Sequence, residues 1–190
     1  MPSFPSIPLQ TKRLILRLLT DADLNAIFSF RSDSEVMRYW SSPPITEVAQ
    51  AQGAITYSQE GFTAGDLLQL GIERKDDSVL IGVCTLLDFH LTSRRAEIGY
   101  MLGRPYWGQG YMHEALKRLV QYAFDELNLN RLEADIDPRN LASAKTLERL
   151  GFLKEGHLRE RWIVSEEVSD SDLYGLLRSD WLNLPNEAQK

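Results

Sequence analysis

Pro105-Tyr106-Trp107-Gly108-Gln109-Gly110-Tyr111-Met112-His113-Glu114-Ala115 is the stretch on which the fold turns. Before it, Arg95 to Leu102 alternates as a strand does, with Ala96, Ile98, Tyr100 and Leu102 on one face and Arg95, Glu97, Gly99 and Met101 on the other. After it, Leu116, Leu119, Val120, Ala123, Phe124 and Leu127 recur at the spacing of a helix with one buried face. A glycine turn between strand and helix leaves the first backbone N–H groups of the helix without internal partners. Gly108 and Gly110 carry no side chain to hold a phosphate away, and the helix dipole favours negative charge there. Trp107 to Met112 is therefore a candidate pyrophosphate cradle. A Gly-x-Gly pair is also an ordinary tight turn, so the identity of the anion has to come from its surroundings.

Counting excludes two nucleotide motifs. A dinucleotide fingerprint needs a glycine or alanine three residues after the second glycine, where this chain has His113. An NTPase phosphate loop ends in Gly-Lys-Ser or Gly-Lys-Thr, whereas Gly110 is followed by Tyr111-Met112.

Working outward, Arg131 to Ile136 predicts a strand, Asp137-Pro138-Arg139 a turn, and Asn140 to Leu150 a helix closed by Gly151 as a left-handed cap. Glu160 to Val164 and Asp172 to Leu177 predict two closing strands. Upstream, Arg13 to Leu18 alternates as a first strand, and Thr20 with Asp23 marks the start of a helix that buries Leu24, Ile27 and Phe28. Helical stretches are expected over Glu35 to Tyr39 and Glu47 to Gln59, separated by Ser41-Ser42-Pro43-Pro44. Leu68, Leu70 and Ile72, then the polar turn at Lys75 to Ser78, then Val79 to Leu87, predict a hairpin.

The 190 residues suit a single domain, and 43% apolar with 25% charged residues excludes wholesale disorder and fibrous repeats. With 27 acidic against 21 basic side chains, a net charge of −6 argues against a nucleic-acid binder and leaves room for a cationic partner. The lone Cys84 lies in an apolar stretch and cannot bridge internally, so a buried thiol in a reducing, cytoplasmic setting is expected. No apolar run approaches the roughly 18 residues of a membrane span. Met1 to Gln10 has no signal-peptide pattern and reads as a flexible lead-in.

Four segments in order carry a family likeness: Ala96 to Leu102, Pro105 to Ala115, Asp137-Pro138-Arg139-Asn140-Leu141-Ala142-Ser143-Ala144, and Leu150-Gly151-Phe152. Together they resemble the GNAT superfamily of N-acetyltransferases, and most closely its ribosomal-protein-alanine branch, the RimJ/RimL-like enzymes. Weaker agreement runs from Leu9 to the final strand, so the likeness spans nearly the whole chain. It implies a single α/β (α+β) domain on a mixed, mostly antiparallel seven-stranded sheet flanked by helices. Two parallel central strands would splay to admit acetyl-CoA. The pantetheine arm would pair with the backbone of Tyr100, Met101 and Leu102. The pyrophosphate would rest on Trp107, Gly108, Gln109, Gly110, Tyr111 and Met112. Asn140 and Ser143 match the family's Asn-x-x-Ser at the thiol end. His113 stands where this branch usually has threonine.

Acetyl transfer from a thioester needs an unprotonated amine, an electrophilic carbonyl within reach and a way to neutralise the thiolate. Glu97 is the candidate base, directly or through water; its plainer reading is an ion pair with Arg95 or Arg131. Ser143 is the candidate proton donor to the thiolate, or a first-turn residue satisfying a backbone amide, while Asn140 serves as helix cap as well as site residue. A backbone N–H near Met101 or Leu102 would polarise the thioester carbonyl. Tyr39 and Trp40 are candidate walls of an acceptor pocket, whereas Trp162 and Trp181 read as ordinary packing residues. His90, His113 and His157 show no metal-ligand spacing, so no metal is expected. The acceptor reads as a protein N-terminal amine or a small amine such as a polyamine or amino sugar, the chain as monomer or homodimer. The rival reading is a CoA-binding sensor or interaction module without catalysis.

Overall fold

Alternating apolar residues put one side of a strand into a core, and eight segments obey the pattern well enough to join one sheet. The computed structural model describes residues 3–184. Its strands are β1 (Leu9–Gln10), β2 (Leu14–Leu18), β3 (Leu68–Arg74), β4 (Leu80–His90), β5 (Arg95–Leu102), β6 (Arg131–Ile136), β7 (Leu153–Val164) and β8 (Glu167–Leu177). They lie in the order β1-β2-β3-β4-β5-β6-β8-β7, antiparallel throughout except where β5 meets β6. The helices are α1 (Leu24–Ser32), α2 (Ser34–Met37), α3 (Val48–Ala64), α4 (Tyr111–Asp125), α5 (Leu141–Arg149) and α6 (Arg178–Asn183).

Two cores result, one on each face of the sheet. Leu116, Leu119, Val120 and Phe124 of α4, with Leu147 of α5 and Trp181 of α6, pack on Leu70, Ile72, Ala96, Ile98 and Leu132. Ile27 and Phe30 of α1, Met37 of α2 and Ile55 of α3 pack on Val83 and Met101 from the opposite side. Burying a leucine or phenylalanine of α4 contributes about 2 kcal/mol each, enough to hold the helix whose N-terminus follows the glycine turn. Cys84 is fully buried in the first core, where burial pushes its thiol up to about 12.

The sheet departs from expectation at its edges. Its eighth strand is β1, formed within the stretch expected to be a flexible lead-in. Phe4 packs between Phe62 and Phe89, and Leu9 is buried opposite Leu16, so residues 3–10 are tied down by apolar contacts. Residues 1–2 of that lead-in lie outside the described residues. The closing strands are much longer than the predicted pair, because β7 crosses two register shifts, one near the left-handed Glu160, that break its alternation.

The functional consequence of the topology is a split. β5 and β6 pair only at Arg95↔Arg131, Ala96↔Leu132 and Glu97↔Glu133. Beyond Glu97, β5 stays on β4 through Leu102 while β6 stays on β8 through Ile136. Each strand follows its other neighbour, and a V opens between them.

Candidate active site

Gly108 and Gly110 both adopt left-handed φ, +72° and +77°, and Gly110 caps the start of α4. A side chain at either position would be strained, which is why the turn is built of glycine. A Cβ on Gly108 would meet nothing within 4 Å, so that side of the turn is open to a ligand. The turn is braced from behind by Arg13, just ahead of β2. Its guanidinium donates to the Gln109 carbonyl at 3.1 Å and to Glu114 of α4 at 2.6 Å, and lies 4.3 Å from the centre of the Tyr111 ring. Thr11 and the Arg13 backbone also donate to Glu114, at 2.6 and 2.8 Å, and these contacts hold its carboxyl below the usual range. The Gln109 side chain donates to the Pro105 carbonyl, the Trp107 indole to the Leu102 carbonyl at 2.6 Å, and Met112 packs against the core. Among the described residues the buried His113 Nδ1 has no hydrogen-bond partner, and burial together with Lys117 and Arg149 lowers its pKa.

Strand parity decides which backbone groups face the split. The Gly103 N–H donates to Ile81 on β4, so Met101 and Gly103 direct their backbone to β4 while Tyr100 and Leu102 direct theirs into the V. Of the two N–H groups considered for the carbonyl, that of Leu102 faces the split and that of Met101 does not. On the α4–α5 side stand Tyr100, Asn140 and Ser143. Asn140 caps α5, accepting from the Ser143 N–H at 3.1 Å, and the buried Ser143 hydroxyl lies 2.6 Å from the Tyr100 hydroxyl. Burial pushes Tyr100 up to about 12, against the pull of its bond to Ser143.

Glu97 projects from the opposite face of β5, into a cavity of about 460 Å³. The floor is the split itself, with Gly99, Tyr100, Asp135, Asn140 and Ser143; Met37 to Pro44 form one wall and Trp162 to Ser169 of the β7–β8 hairpin the other. Arg95 and Arg131, the candidate partners of Glu97, close instead on Glu133 at 2.5 and 2.8 Å. Burial, then the neighbouring charges of Asp135, Asp88 and Glu133, push Glu97 up to about 7, with Arg161 pulling the other way. A carboxylate so poised exchanges protons near neutrality.

The split thus separates a hydroxyl pair on one side from a carboxylate on the other, and both reach one cavity. Tyr39 and Trp40 line it, and so does Trp162, which sequence reasoning placed among packing residues; Trp181 is buried against Phe124. Reasoning from sequence also missed Asp135, whose alternation with Leu132 and Ala134 was a usable signal, and the brace of Thr11, Arg13 and Glu114, whose contacts are long in sequence and leave no local trace. Among the described residues no group of three or more metal-binding side chains occurs, and no helix is long and apolar enough to cross a membrane. The turn offers backbone donors on an open face, and the V offers the backbone of Tyr100 and Leu102; an extended pantetheine pyrophosphate fits both.

Residues 13–153 match the model of the acetyltransferase (GNAT) domain. The uncharacterized N-acetyltransferase p20 of Bacillus licheniformis is 36% identical over 173 residues, 91% of this chain and 97% of that protein. The [ribosomal protein uS5]-alanine N-acetyltransferase of Escherichia coli is 27% identical over 184 residues, 93% of this chain and 94% of that one. Spermidine N-acetyltransferase from Vibrio cholerae, solved with CoA and spermine, superposes with a TM-score of 0.81 at 24% identity, over 91% of this chain and all of the other, a likeness of fold. With the family model covering most of its length and the parallel split at its centre, this chain belongs to the GNAT acetyltransferase family.

Proposed function

We propose that the protein transfers acetyl from acetyl-CoA to a primary amine by direct attack in a ternary complex, the amine being a protein N-terminus. The observation that carries this reading is Glu97, a carboxylate raised to about 7 in the cavity wall across the split from Ser143. Trp107 to Met112 hold the pyrophosphate through backbone N–H groups and the start of α4. Tyr100 and Leu102 pair with the pantetheine arm. A β5 backbone N–H that faces the split polarises the thioester carbonyl as negative charge develops on its oxygen. Glu97 takes the proton from the attacking amine, directly or through one water. As the carbon–sulfur bond breaks, Ser143 gives its hydroxyl proton to the thiolate and regains one from solvent while Glu97 releases the proton it took, with Asn140 fixing the turn of α5 that carries Ser143.

The relative in Escherichia coli, named for a ribosomal-protein alanine, supports a protein N-terminus as acceptor. The lining carries four acidic residues, Glu97, Asp135, Asp137 and Glu167, against Arg38 and Arg139, an acidic excess that also suits a small polyamine, and the spermidine enzyme of like fold supports that second reading. The setting we propose is the cytoplasm, consistent with the buried thiol of Cys84.

The deciding experiment measures release of CoA thiol from acetyl-CoA. It compares peptides with free N-termini, the same peptides N-terminally blocked, spermidine and an amino sugar. Thiol release with free but not blocked peptides supports the proposal, and release with spermidine alone moves the acceptor to polyamines. Tight CoA binding without turnover on any amine replaces the enzyme with a binding module.

A further inference from the structure

Ser143 and Tyr100 reach the split from different elements. Ser143 is buried in the first turn of α5, its backbone N–H held by Asn140. Tyr100 leaves β5 on the side that carries Ala96 and Ile98, and its hydroxyl comes within 2.6 Å of Ser143 Oγ and 3.4 Å of the Ser143 carbonyl. A serine hydroxyl has one hydrogen and two lone pairs, so the short contact allows two arrangements. If Ser143 donates to Tyr100, its single hydrogen is engaged and none is left for a departing thiolate. If Tyr100 donates, Ser143 keeps its hydrogen for the split. The carbonyl can only accept, so Tyr100 is the donor in the longer contact. Burial keeps the phenol protonated across the neutral range, so Tyr100 always has a hydrogen to give.

We propose that Tyr100 is a positioning residue that donates to Ser143 Oγ and thereby aims the serine hydrogen into the split, toward the sulfur that leaves. The inference rests on the reading of Ser143 as donor to the thiolate. It extends the part of Tyr100 from a stretch of backbone to a side chain acting through Ser143. A buried phenol also needs a partner for packing reasons alone, and the two roles are told apart by where the loss appears when the hydroxyl is removed.

The test is a double-mutant cycle of Tyr100→Phe and Ser143→Ala, with Ser143→Thr as the background that keeps a hydroxyl. Phenylalanine retains the ring and its packing. Tyr100→Phe is expected to lower kcat about tenfold with KM for acetyl-CoA within about twofold, to repeat that loss with Ser143→Thr, and to add nothing with Ser143→Ala. An equal loss in the Ser143→Ala background, or one confined to KM, overturns the role of Tyr100 and leaves that of Ser143 standing. Wild-type turnover by Ser143→Ala overturns the reading of Ser143, and the proposal with it.

Discussion

Glu97 and Glu133 face each other across the last rung of the parallel ladder between β5 and β6. Two like charges on one face of a sheet repel, and the surroundings resolve the conflict by giving them different partners. Glu133 receives Arg95 and Arg131. Glu97, one step from the opening, receives burial and the carboxylates of Asp135 and Asp88. One rung therefore yields a structural ion-pair anchor and a group that titrates near neutrality, at the place where the strands part.

The first consequence is kinetic. A base must be ionised to work, so kcat/KM should rise with pH through about 7 as Glu97 loses its proton, superposed on the ionisation of the amine itself. Glu97→Gln should remove that limb and lower the rate about a hundredfold or more, with acetyl-CoA affinity little changed. A pH–rate profile with a low-pKa amine, which separates the two ionisations, checks it; an unaltered limb in Glu97→Gln removes Glu97 from the role of base.

The same group should cost stability. Its folded pKa lies above the unfolded value, so the native state holds a proton that the unfolded chain has released, and stability falls as pH rises from about 4.5 to about 7. Glu97→Gln should therefore melt at the same temperature as the parent near pH 4 and higher than the parent at pH 8. Thermal melts at the two pH values read this directly, and a lower melting temperature for the variant at pH 8 contradicts it.

The legible part of the molecule is the part whose physics is local. Strand β5, strand β6 and the start of α4 were readable because Ala96 to Leu102 alternates, Arg131 to Ile136 follows the same rule, and two glycines break the pattern between strand and helix. Asn140 was legible as a cap because its carbonyl oxygen reaches only three residues along the chain, to Ser143. β1 was hidden because Leu9 and Gln10 gain their strand by pairing with β2, and the segment before them is held by Phe4 against Phe62 and Phe89, none of it visible in a two-residue window. The fate of Glu97 was open for a like reason: whether Arg95 and Arg131 serve it or Glu133 depends on the register of two strands far apart in sequence.

The glycine turn and its brace make separable contributions to cofactor binding. Gly110→Glu would add bulk and negative charge to a cradle that needs neither, at a left-handed φ of +77°; acetyl-CoA binding should disappear. Arg13→Ala would leave the glycines intact but release Gln109 and Glu114. Its affinity for acetyl-CoA should fall about tenfold, equivalent to about 1.4 kcal/mol. Calorimetric titration of both variants decides: an unchanged affinity in Gly110→Glu would sink the anion cradle, and one in Arg13→Ala the brace.

Arg139 links the turn before α5 to the tip of the β7–β8 hairpin, donating to Asp137 and, at 2.6 Å, to Glu167 across the cavity mouth. Both ends of the Arg139–Glu167 pair are more than half exposed, at 53% and 62%, so its contribution to folding is small, at most about 1 kcal/mol. Its contribution to the site is a fixed carboxylate beside the entrance, and a cationic acceptor should feel it over about 8 to 10 Å at physiological salt. Glu167→Gln removes that charge at nearly constant shape. It should leave the melting temperature almost unmoved and the KM for acetyl-CoA unaltered, while the KM for a cationic acceptor rises severalfold at low salt. Because screening weakens the attraction in the parent as well, the two enzymes should converge near 0.5 M salt, by order of magnitude of the screening length. A KM difference that survives high salt would mean instead that Glu167 contacts the acceptor directly, and an effect on acetyl-CoA alone would place the hairpin on the cofactor side of the split.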